Sequence, residues 1–171
     1  MVLAALVLAG CGSSDDEIKT FDEDGFGITF EYPADLQSTG DVNIAQSAGR
    51  ADESVALASS EDNAIFVQRY TLKRSVDAGD ARAVKQELDQ VLSELARMPL
   101  EGKRVDVGGP LSFRYEIDRL ETPEDGRSTI VVTFDRDTEY FVNCQSVPDG
   151  RSELEDACDQ AIETLQLKRS G

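Results

Sequence analysis

Apolar and polar residues alternate with period two from Phe26 to Tyr32, which puts Phe26, Ile28, Phe30 and Tyr32 on one face of a strand. Pro33 has no N–H to give to a ladder and ends that run. A loop rich in Gly, Ser and Asp follows, and then two strands at 54–59 and 64–72, with Glu61-Asp62-Asn63 as their hairpin connection. The period then changes. From Ala81, apolar residues recur at three- and four-residue steps (Val84, Leu88, Val91, Leu92, Leu95), the spacing of one helix stripe. Asp80 stands where an N-cap is needed and Pro99 where the helix must stop.

The strongest strand signal is 110–120, with Leu111, Phe113, Tyr115 and Ile117 on one face and Ser112, Arg114, Glu116 and Asp118 on the other. Glu124-Asp125-Gly126 suits a hairpin turn. The run 128–135 alternates again, and Asp135-Arg136-Asp137 turns into a strand at 139–147. Consecutive, alternating and joined by short loops, these three segments form an antiparallel meander. A last helix opens with Ser152 and Glu155 spaced as a capping box. Leu154, Ala157, Cys158, Ala161, Ile162 and Leu165 form its apolar stripe, and Lys168 and Arg169 sit near its C-terminal, negative end. The expected fold class is α+β: an antiparallel sheet of about six to seven strands packed with helices.

Charge narrows the partners. The 171 residues carry 34 acidic and 17 basic side chains, a net charge of −17. Such a polyanion is repelled by phosphate backbones unless it has a basic stripe. Its cations are scattered, Arg69, Lys73 and Arg74 being the one notable cluster, so no nucleic-acid partner is expected. Docking on anionic headgroups through the domain surface is disfavoured for the same reason.

Membrane attachment is instead written at the N-terminus. Residues 2–9 are an unbroken apolar run, too short to span a bilayer. The run leads into Leu8-Ala9-Gly10-Cys11, small residues before a cysteine, which resembles the bacterial lipobox. On this reading 1–10 is a signal-peptide remnant, Cys11 receives a diacylglycerol, and the protein is held on the extracytoplasmic face of a cell membrane. No Lys or Arg precedes Cys11, so the true start is placed upstream of Met1. Two or more acyl chains anchor stably, each buried methylene contributing roughly 0.8 kcal/mol. Residues 11–24 are expected to be a lipidated acidic tether reaching on the order of 20 Å, and residues 25–171 one extracytoplasmic domain.

With Cys11 set aside, Cys144 and Cys158 remain, an even number for an oxidising compartment. Cys158 lies in the apolar stripe of the last helix, and Cys144 shares a strand face with Tyr140 and Val142. The two are therefore expected to form a disulfide where that helix packs on the sheet. A loop of about fifteen residues closed in this way stabilises by roughly 3 kcal/mol. There is no CxxC and no adjacent base to activate a thiol.

Residues 25–36, Gly-Phe-Gly-Ile-Thr-Phe-Glu-Tyr-Pro-Ala-Asp-Leu, resemble the opening of PsbP-like domains, in which an aromatic-alternating strand runs into Tyr-Pro and then a large apolar residue, here Leu36. The tethered domain also resembles the mycobacterial LpqN-type lipoproteins. The resemblance covers about Phe26 to Leu167. It implies an antiparallel sheet between helices, an αβα sandwich, and a binding or assembly accessory without catalytic residues; a fold does not by itself transfer a function.

No catalytic constellation and no metal-ligand cluster is expected, and no cofactor. The chain has no His, and no Ser-x-x-Lys lies in the folded region. Asp22-Glu23-Asp24-Gly25 lacks EF-hand spacing and reads as a solvated linker end. Asp135, Asp137 and Glu139 read as a charged hairpin turn. Arg114, Glu116 and Asp118 read as cross-strand ion pairs rather than acid–base groups. The expected function is a non-catalytic binding or accessory module for an envelope protein or apolar ligand. The alternatives are a divalent-cation-binding module, or a hydrolase with an unrecognised site.

Overall fold

In the computed structural model, which describes residues 17–40, 51–120 and 123–168, the alternation at the head of the domain becomes a strand. Two short strands precede and follow: β1 (Ile18–Phe21), β2 (Ile28–Pro33) and β3 (Gln37–Ser38). Phe26, Ile28, Phe30 and Tyr32 are all buried, as their shared face requires. Cys11 and its assigned signal peptide lie outside the described residues. The tether expected to run to Asp24 does not: β1 pairs antiparallel with β2 in the register Ile18↔Pro33 to Phe21↔Phe30. One residue explains the difference. Phe21, set in an otherwise acidic stretch, is 1% exposed, stacks on Phe30 at 4.7 Å and meets the Phe26 edge at 5.3 Å. Burying one aromatic ring of this kind offsets the ordering of several residues.

The main sheet is built from β3, β4 (Glu53–Ala58), β5 (Ala64–Val76), β6 (Lys103–Val105), β7 (Leu111–Ile117) and β8 (Arg127–Ser146). Its order is β3-β4-β5-β8-β7-β6, and its pairings are antiparallel. The first part of β8 pairs with β7 and the second with β5. Ser128 Oγ donates to Asn143 Oδ1, fifteen positions away, whereas a straight strand would separate them by about 50 Å. So β8 doubles back around Asp135–Asp137, where Arg136 takes a left-handed φ of 55°. These two arms and β7 are the expected meander.

Helices cover both faces. Above one face, α1 (Ala81–Ala96) contributes Val84 and Leu92 to a core with Phe113, Tyr115, Val132 and Phe141. Leu95, expected in that stripe, is 46% exposed, while the next residue, Ala96, packs on the core. On the other face, α2 (Arg151–Thr164) buries Leu154, Ala157, Cys158, Ala161 and Ile162 against β2 and β8. After α2, β9 (Gln166–Leu167) pairs with β2 to complete a second, three-stranded sheet.

Asp80 stands at the N-cap of α1 as expected but makes no side-chain cap bond there. Asp77, not Asp80, makes the capping box, and it does so on a single 3-10 turn (Ala78–Asp80) that leads into α1: Asp77 Oδ1 accepts from Gly79 N while Asp80 Oδ2 accepts from Asp77 N. Ahead of α2 the cap position is Gly150, left-handed and without a side-chain bond. Glu155 is drawn instead to Arg127. Lys168, expected at a helix end, follows β9, and its backbone N–H bonds Gly27 O.

A charged cleft beside α2

Helix α2 covers β2 and the second arm of β8 but stops short of β7, leaving a cleft of about 200 Å³ along its flank. Its sheet wall carries Arg114, Glu116 and Asp118 from the polar side of β7, with Arg127 and Thr129 from β8. Its helix wall carries Glu155 and Asp159, one turn apart, and Leu154, Cys144 and Cys158 line it more deeply. The period-two pattern of β7 aims Arg114 and Glu116 at this side because Phe113, Tyr115 and Ile117 face the core under α1.

The charges in the cleft engage one another. Arg114 donates through Nε to Glu116 at 3.1 Å and reaches Asp159 on α2 at 3.4 Å. Arg127 reaches Glu155 at 3.4 Å. The pairs expected across strands therefore run along β7 and from sheet to helix, because α2 offers carboxylates closer than the neighbouring strand does. Two guanidiniums face four carboxylates (Glu116, Asp118, Glu155, Asp159), and Arg151 brings a third guanidinium within 3.9 Å of Glu155, for a net charge of −1. The hydroxyl-bearing residues of the cleft, Ser128, Thr129 and Ser146, share it with no Lys and no His. The Ser128 hydroxyl is committed to Asn143 Oδ1.

At the inner side of the cleft Cys144 and Cys158 stand at disulfide distance, with Cα atoms 5.9 Å apart. They lie where the helix stripe and the Tyr140–Val142–Cys144 face were expected to bring them together.

Other sequence-level candidates disperse. Asp22 of the acidic loop pairs with Lys168 Nζ, which also donates to Glu23 O at 3.1 Å. That loop, expected as a solvated linker end, is thus tied to the C-terminal segment by an internal cation. Asp135 pairs with Arg136 in the β8 turn, while Glu139 lies half-buried in register with Tyr70. Burial, with Glu87 nearby, pushes the Glu139 carboxyl up to about 7. Among the described residues no three His, Cys, Asp or Glu side chains are grouped to hold a metal ion. A second hollow of about 460 Å³ at the β3–β4 end is floored largely by Ala56, Ala58, Ala64 and Phe66 and gathers no guanidinium.

One polar cluster was not visible in the sequence. Asp89 on α1 accepts from Tyr115 Oη and Gly102 N at 2.9 Å each and from Lys85 Nζ at 2.7 Å. Burial raises the Asp89 carboxyl, but the bonds from Lys85, Gly102 and Tyr115 outweigh it and hold the group below its usual value. Gly102 allows the approach, since a Cβ there would run into the Tyr115 ring. The cluster fastens α1 to β7.

No family model matches the chain, and no curated protein matches it. Among solved structures it is similar to the solution structure of cyanobacterial PsbP (CyanoP) from Synechocystis sp. PCC 6803. The two are 12% identical and superpose with a TM-score of 0.55 over 96% of this chain and 98% of that one. The fold is PsbP-like. A crystal structure from Bacteroides thetaiotaomicron VPI-5482 is 17% identical with a TM-score of 0.55 over 90% of this chain and 49% of its own, so this chain spans about half of it. At these identities the likeness is one of fold. The likeness assigns no role to the residues that line the cleft.

Proposed function

We propose that this PsbP-like protein is an extracytoplasmic lipoprotein, anchored through Cys11, that acts as a non-catalytic binding or accessory module for an envelope protein. The observation that carries this reading is the cleft beside α2: a concave site in which Arg114 pairs with Glu116 and Asp159 and Arg127 with Glu155. Such pairs can be exchanged for a partner's charges at modest cost, which favours orientation and specificity over chemistry. A volume of about 200 Å³ with a charged rim suits a side chain or two of a partner protein better than an acyl chain. In the same reading the Cys144–Cys158 pair is an oxidised staple holding α2 to β8.

Among the described residues no helix is long and apolar enough to cross a membrane, and the proposed anchor is the acylated cysteine. Detergent phase partition of the protein expressed with its full leader tests this. Wild type is expected in the detergent phase, and Cys11→Ser is expected in the aqueous phase or unprocessed. Unchanged partition and mass in the variant would reject the anchor.

A further inference from the structure

The paired cysteines sit at the edge of the core where it borders the open cleft beside α2, and the cleft has a sign. Cys144 and Cys158 are 5% and 3% exposed, and what exposure they have gives onto the space bounded by Glu116, Asp118, Glu155 and Asp159 against Arg114 and Arg127. A space of about 200 Å³ admits a small molecule, equal to several waters at roughly 30 Å³ each. We infer that the cleft is a charge-selective port to the Cys144–Cys158 disulfide, open to small cationic or neutral thiols and closed by repulsion to anionic ones. The inference rests on the proposal that the pair is oxidised.

The chemistry balances without further reactants. A small thiolate attacks one sulfur, the Cys–Cys bond breaks, and the other cysteine leaves as a thiolate, giving a mixed disulfide. A second thiolate attacks that mixed disulfide at the reagent's sulfur and frees the first cysteine. The reagent departs as its own oxidised dimer, and the two cysteine thiolates take up protons from water. Helix α2 then loses its covalent tie to β8 and keeps Leu154, Ala161 and Ile162 as its hold on the sheet. Exported in this form, the protein would keep its staple against anionic thiols and release it to others.

The test is the rate of native-state reduction of the full-length oxidised protein by cysteamine, 2-mercaptoethanol and 2-mercaptoethanesulfonate at equal thiolate concentration. At contact distances of about 4 Å in water, one net negative charge slows a reagent bearing one extra negative charge by roughly fivefold. The expected order at low salt is therefore cysteamine, then mercaptoethanol, then the sulfonate. The differences should shrink in about 1 M salt, where the Debye length is about 3 Å. They should also shrink in Asp118→Asn, whose circular dichroism checks folding. Equal rates for the three reagents at low salt, or rates that simply follow global unfolding as urea is added, would overturn the port. Two free thiols before any reductant is added would instead overturn the oxidised pair itself, and the port with it.

Discussion

Glu139→Gln should stabilise this protein above neutral pH and leave it unchanged in acid. Glu139 lies half-buried on the sheet face beneath α1, in register with Tyr70, with Glu87 of the helix as its charged neighbour. The cations closest along the chain are engaged elsewhere: Arg136 with Asp135, Arg74 with Asp80, and Lys85 with Asp89 and Glu101. Folding therefore favours the protonated carboxyl, and its value rises from 4.5 to about 7. A raised value makes the folded state bind protons more tightly than the unfolded chain. The stability at stake is fully present below about 4.5 and is lost as pH rises through about 7. That difference corresponds to roughly 3 kcal/mol, and about 2 kcal/mol is expected because part of the side chain still meets water. Gln has nearly the same shape and no charge to desolvate. Urea melts of both proteins between pH 4 and 8.5 should coincide at the acid end and separate by about 2 kcal/mol at pH 8. Parallel curves across the whole range would show that Glu139 is solvated as a carboxylate and would refute the reasoning.

Asp89→Ala removes the acceptor shared by Tyr115, Gly102 and Lys85 and should cost about 3 kcal/mol in denaturant melts, with amide exchange quickening first in α1. The depressed Asp89 value adds a pH signature: its contribution is present above the ordinary 3.8 and is lost as pH falls through the lower folded value. Cys144→Ala with Cys158→Ala opens a loop of 14 residues' separation and should lower stability by about 3 kcal/mol while leaving circular dichroism native. A double variant as stable as wild type would mean the pair is no staple.

Where one periodicity ran long enough, the fold was legible. The face shared by Phe26, Ile28, Phe30 and Tyr32, the alternation of β7 and the stripe from Leu154 to Ile162 each have one solution that buries their apolar side. The meeting of Cys144 and Cys158 followed from two such faces. Short edge strands were not legible: Lys103–Val105 and Gln166–Leu167 are too brief to show a period, and only pairing with β7 and β2 makes them strands. β1 was hidden by its acidic neighbours, since its docking depends on the single ring of Phe21. Of the caps, Asp80 was legible as the N-cap position of α1, while the Asp77 capping box on the single 3-10 turn before it and the bare Gly150 cap of α2 were not. The cleft was half-legible: the alternation of 110–120 announced Arg114, Glu116 and Asp118, whereas Arg127 joins them through the β7–β8 register and Glu155 and Asp159 through the packing of α2 on the sheet. The sequence spacing shows the Lys85–Asp89 pair within α1 but does not mark Asp89 as an anchor, because Gly102 and Tyr115 come from two other segments.

The central claim is that a partner protein binds the cleft beside α2, and site-specific photo-crosslinking in the native membrane tests it most directly. A photoreactive residue at Thr129, on the sheet wall of the cleft, should give one discrete adduct whose mass identifies the partner, and the adduct should weaken when Arg114→Ala is added. The same residue at Gln90, on the exposed side of α1, should give none. Adducts of equal strength from both positions, or none from Thr129 in membranes where the protein is correctly processed, would contradict the account.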